Sequence, residues 1–110
     1  MAGLDIEALV GQMAAAAAGV LKQKWPDAKS FAQVEFRKIA QTIENIGTQL
    51  TAGEINTAQA ELLLDMQKNA SRSVLLTVEG LGILAVEEAI NAALDVIKGA
   101  ANKAIGFALL

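Results

Sequence analysis

The residues able to do chemistry in this chain are acids, serines and glycines, and none stands in a complete set. Glu35, Glu61, Asp65 and Glu88 are helix-compatible carboxylates of the kind that hold a di-iron centre, but that centre needs Glu-x-x-His on two helices. The sequence has no His and no Cys. The commonest general base and metal ligand is missing, and with it thiolate catalysis, thiolate metal sites and disulfides. An all-carboxylate Mg or Ca site is the remaining metal option, and solvated helix faces account for the acids more simply. Ser30, Ser71 and Ser73 would need a base other than His to act as nucleophiles. Ser30 reads better as a helix cap, the other two as helix-face residues. Gly80 and Gly82 belong to neither a phosphate-binding loop nor a dinucleotide fingerprint. The expectation is a chain that is not an enzyme and carries no cofactor.

The elements that would position such residues are helices. Hydrophobic residues make up 54% of 110, aromatics only 4%, and mean hydropathy is +0.40. Apolar content of that kind is Ala, Leu, Ile and Val, which favours helix over strand. An all-α single domain of residues 1–110 is expected: a helical hairpin or bundle of three to four helices.

The first helix spans residues 4–24, with Ile6, Val10, Met13, Ala17 and Val20 at alternating spacings of four and three. Asp5 is its expected N-cap. Trp25-Pro26-Asp27 interrupts the pattern, because a residue before Pro is pushed away from helical geometry. Ser30 with Gln33 reads as a capping box opening a second helix over 30–51, with Asp27 as the alternative start. In it Ala32, Phe36, Ile39, Ile43, Ile46 and Leu50 form the cleanest heptad stripe of the chain. Gly53 suits a left-handed helix end, Ile55 can fold back on the last turn, and Asn56 or Thr57 caps the third helix. So short a link makes the flanking helices antiparallel neighbours.

The segment after Thr57 reads as helices 57–79 and 83–104, or as one long C-terminal helix of about 70 Å at 1.5 Å per residue. Gly80 and Gly82 are the expected hinge, a bend or a break. From Val74 onward polar residues are confined to a narrow stripe, which demands burial in a bundle, between subunits or in a membrane. Leu81, Leu84, Ala85, Ala89, Ala92 and Ala93, together with the heptad stripe, are therefore the candidate self-association residues. The apolar tail 104–110 also calls for a contact. A membrane span over Val74–Leu94 would carry Glu79, Glu87 and Glu88, each costing about 2.5 to 3.5 kcal/mol near the bilayer centre.

Net charge is −3 and pI about 4.8, so nucleic acid is an unfavoured partner. Charge is segregated. Lys22, Lys24, Lys29, Arg37 and Lys38 form a basic stretch relieved only by Asp27 and Glu35, while Glu44, Glu54, Glu61 and Asp65 lie in residues 39–67 with no base among them. The basic group is a candidate contact patch for phosphate or headgroups, and a second reading pairs it with the acidic stretch of a neighbouring subunit. The start of the chain lacks the basic region of a secretory signal, and Gly3 sits one place too late for myristoylation. The compartment expected is cytoplasm or an assembly such as a virion. The functional expectation is a self-associating structural subunit, a homo-oligomer or part of a larger assembly. A membrane-active oligomer is the alternative, and carboxylate-only catalysis a remote one.

Overall fold

The computed structural model describes residues 4–106 and 108–110. Among them are four helices and no strand: α1 (Ile6–Leu21), α2 (Trp25–Thr51), α3 (Thr57–Leu75) and α4 (Ile83–Ile105). Cross-helix pairings fix their directions. Glu7 near the start of α1 reaches Arg37 halfway along α2. Glu35 of α2 meets Ser71 late in α3, and Arg72 of α3 meets Glu87 early in α4. Each helix therefore runs antiparallel to the one before, and α1 and α4 also pack on each other, completing an up-down-up-down bundle.

The caps obey the local chemistry. Asp5 accepts the Ala8 amide at 3.1 Å. Asn56 and Gln59 form a reciprocal capping box, at 2.8 Å and 2.9 Å, that satisfies two amides with no helical partner. Gly53 takes the left-handed conformation (φ +72°) that ends α2, and Ile55 folds back against the core.

Three boundaries depart from the sequence expectation. The second helix starts at Trp25, not Ser30, which lies exposed within it. Pro26 sits in the first turn, where its missing N–H would have had no acceptor anyway. Trp25 accepts helical dihedrals (φ −57°, ψ −45°) despite preceding Pro, and is half-buried. The break falls instead at Lys22, the one non-glycine residue with positive φ among those described (+51°), at the head of a single 3-10 turn.

The third helix stops at Leu75, and residues 76–82 form a connection, so no 70 Å helix exists. The Thr77 hydroxyl bonds the Val74 carbonyl at 2.6 Å, competing with further helix. Val78 and Leu81 turn into the core. Gly80 is left-handed (φ +87°), and a Cβ there would strike the Lys24 side chain, which folds over it from the opposite corner. Gly80 and Gly82 thus mark a break between helices, not a bend within one.

The apolar stripes close the chain's own core. Ala32, Phe36, Ile39, Ile43, Ile46, Leu81, Ala89 and Ala93 are buried within one copy; Leu50, Ala85 and Ala92 are half-buried. Of the twelve residues expected to drive self-association, Leu84 alone stays exposed, at 74%. The heptad stripe is satisfied intramolecularly because α1 and α4 are long enough to cover it. A radius of gyration of 13.7 Å suits a single folded chain of this length. The α3–α4 seam is the loosest, and the end of the chain folds into it: Asn102 clips the Leu110 backbone amide at 3.0 Å, and Leu109 and Leu110 line the cleft. Phe107 of that tail lies outside the described residues. No helix among the described residues is long and apolar enough to cross a membrane. The window 74–94 is divided between two helices and the connection between them.

Truncation of Phe36, which is fully buried, is expected to cost about 3 to 5 kcal/mol as Phe36→Ala. Val34→Ala, two residues away on the open face, should stay within about 0.5 kcal/mol. Urea melts monitored by circular dichroism compare the two.

Candidate interaction surface

With the core closed, the surface is what remains for function, and its charges are unevenly placed. At 3.6 residues per turn each helix can be divided by the neighbour it faces. The α1–α2 side carries Glu7, Lys29, Arg37 and Glu44. Arg37 grips Glu7 with two nitrogens at 2.7 Å and 3.2 Å. The α3–α4 side carries Glu61, Asp65, Lys68 and Arg72 opposite Glu87, Asn91 and Asp95.

The other two sides are more apolar, with Asp27 and Lys38 the exposed charges on the outer edge of α2. Along α1 there is no ionisable residue between Glu7 and Lys22, and Gly11, Ala15 and Gly19 lie exposed in a row on its outward face. On the α2–α3 side run Phe31, Val34, Gln41, Asn45, Leu62 and Met66, all exposed. The grooves along it are lined by Val34, Gln41, Thr42, Gln49, Leu63 and Met66, with Arg37 and Lys38 at one end. Met66 shares its groove with neutral residues alone, whereas Phe31 shares one with Lys24, Asp27 and Glu79.

Beneath that side lies a polar cluster absent from the sequence expectation. Glu35 is only 3% exposed and Ser71 is fully buried, so neither belongs to the solvated helix face that its type suggests. The Ser71 hydroxyl donates to Glu35 Oε1 at 3.0 Å and accepts from Gln67 Nε2 at 3.1 Å. Lys38, one turn along, holds Glu35 Oε2 at 3.2 Å. A buried carboxylate persists only when its oxygens are paired in this way. The cluster fixes the register of α2 against α3. It offers no nucleophile, since the hydroxyl is already committed as a donor and closed to solvent. Spacing alone contained one signal, Glu35 falling between Ala32 and Ile39 on the core side of α2.

The basic group does not form one surface. Lys22 and Lys24 sit in the α1–α2 corner, and Lys29 and Arg37 point along the α1 side. Lys38 points along the α3 side, and two of the five already hold an acid. Ser30 and Ser73 are exposed on separate helices and take no part in the Glu35 cluster; the Ser73 hydroxyl donates to the Asn69 carbonyl. Among the described residues no three of His, Cys, Asp and Glu are placed to hold a metal ion.

The Arg37 hydrogen bond, aided by its charge, holds the Glu7 carboxyl below its ordinary 4.5. A carboxylate with a depressed folded pKa contributes stability above its unfolded value and loses it as pH falls through the folded one. Glu7 should therefore titrate below 4.5 by carbon-detected NMR and return towards it in Arg37→Ala, with little change in melting temperature because the pair is exposed. Removing the internal donor is the harsher change. Ser71→Ala should cost about 1 to 3 kcal/mol in chemical denaturation. Glu35→Leu added to Ser71→Ala should recover part of that loss, because the charge left unpaired is then gone.

No family model, no curated protein and no solved structure matches this chain.

Proposed function

We propose that this chain is a non-catalytic helical building block that associates with other copies of itself. The observation that carries the reading is the apolar area that folding leaves exposed. Phe31, Val34, Leu62 and Met66 lie open on the α2–α3 side, with Asp27 and Lys38 at the two ends of the α2 strip, and α1 has no ionisable residue between Glu7 and Lys22. A lone soluble domain gains nothing from that arrangement, since dispersed Lys and Glu would serve folding equally well and solubility better. Exposed apolar and small-residue faces suit a subunit placed between neighbours, as in a larger particle or an assembly of the virion or secretion type. The exposed Leu62, Met66, Phe31 and Val34 supply the apolar contact, and the small residues of α1 allow close approach of a neighbour.

Sedimentation velocity over a hundredfold range of concentration tests it. The weight-average mass is expected to rise above that of an 11.4 kDa monomer in the micromolar range. A single monomeric species throughout would refute self-association.

A further inference from the structure

The outer edge of α2 carries a second repeat, separate from the one that builds the core. Asp27, Phe31, Val34 and Lys38 recur at spacings of four, three and four, and all four are exposed. At 100° per residue they fall within an arc of about 60°. Along the helix the order is acid, apolar, apolar, base. Laid antiparallel about the midpoint between Phe31 and Val34, two such strips match at every position. Asp27 meets Lys38 of the second copy, Phe31 meets Val34, and the same pairs recur in reverse. A parallel, in-register pairing would instead oppose Asp27 to Asp27 and Lys38 to Lys38.

We propose that this strip is the centre of a two-fold dimer face, occupied by a second copy of this chain with its α2 antiparallel to the first. The proposal rests on the self-association reading and names its surface. Phe31 and Val34 are 46% and 50% exposed, enough apolar area left over for a contact that folding does not use. Lys38 holds Glu35 through one contact at 3.2 Å while its side chain stays 54% exposed, and an ammonium has three protons to give. The Asp27 carboxylate of the second copy can take another. The flank on the α3 side holds Ala70, Ser73 and Val74 beside Val34, while Lys24 and Glu79 share a groove with Asp27 and Phe31 at its end, which sets the acids Asp27 and Glu79 towards Lys38 of the second copy. Overlap of residues 25–41, about 25 Å long and two helices (about 20 Å) wide, covers about 500 Å² per copy. About 1,000 Å² in total lies at the lower end of specific interfaces, the size class of weak and transient association.

The absence of Cys from the chain allows introduced thiols to report the geometry. Chains carrying Asp27→Cys and Lys38→Cys, mixed under mild oxidation, are expected to form a mixed disulfide dimer. Neither alone should cross-link, because position 27 lies about 16 Å along the axis from its own copy, far beyond disulfide reach. Val34→Glu, which sets a carboxylate against Phe31 of the second copy, is expected to weaken dimerisation at least tenfold. Its circular dichroism should be unchanged, since the site is exposed. Cross-linking of Asp27→Cys with itself, or association undiminished in Val34→Glu without a mixed disulfide, would overturn this face and leave self-association through another. A wild-type chain that stays monomeric in sedimentation would overturn both readings together.

Discussion

Everything in this bundle leans on the inner face of α2. Phe36, Ile39, Ile43 and Ile46 are stacked at heptad spacing over three turns and have no access to water. Burying side chains of that size contributes about 1.5 to 3 kcal/mol each, and a single partner helix cannot enclose such a stripe. It needs α1 on one flank, α3 on the other and α4 across it, and α2 touches all three. The Ala-rich character of α1 suits this geometry. Met13 and Ala17 point inward and are sealed completely, and small neighbours let α4 come close enough to finish the enclosure. The connections serve the same end, since Val78 and Leu81 cap the core where the 76–82 link crosses it.

Against that apolar spine, Glu35 and Ser71 supply what burial of Leu and Ile cannot, a preference for one register. An apolar stripe tolerates a slide of α3 by a turn with modest loss. A buried carboxylate does not, because a slip of one turn would carry the Ser71 hydroxyl away from it and leave a charge without its donor. Its partners come from both sides of the interface, Lys38 on its own helix and Ser71 on the next. The polar cluster therefore specifies the hairpin more than it stabilises it, the role buried polar groups play in helical bundles.

The fold is legible in the sequence wherever the signal is local and periodic. The heptad stripe of α2, the Asp5 and Asn56 caps and the left-handed Gly53 each depend on a few neighbouring residues, and each stands where spacing places it. Sequence and structure part company where local preference competes with packing. Trp25 before Pro26 disfavours helix, yet half-burying the indole favours it, and packing prevails. The apolar run after Val74 is ambiguous because periodicity alone does not distinguish a helix enclosed by its own chain from one enclosed by a neighbour. The interaction surface is harder still. The inner stripe, being the most regular, is the natural candidate for self-association, but regularity of that kind marks the strongest burial, which the chain's own helices take first. The outer strip of Asp27, Phe31, Val34 and Lys38 becomes visible only once the inward side of α2 is known.

Residues released from folding are the ones that carry information about partners. Phe36 must be large and apolar for the bundle to close, so its identity says nothing about function. Val34, Phe31, Leu62 and Met66 are under no such demand: each is about half exposed or more, and a Lys or Gln at any of them would leave the core intact. Apolar side chains held in water lower solubility and contribute little to closing the bundle. Four of them on one side, with Asp27 and Lys38 at the ends of the α2 strip, form a pattern that folding does not require. A contact made outside the chain supplies the missing reason. The acid at one end of the α2 strip and the base at the other argue further for a partner that offers the opposite charges at the matching ends, since buried ions without counterparts would oppose the contact. A second copy of this chain, laid antiparallel, offers them.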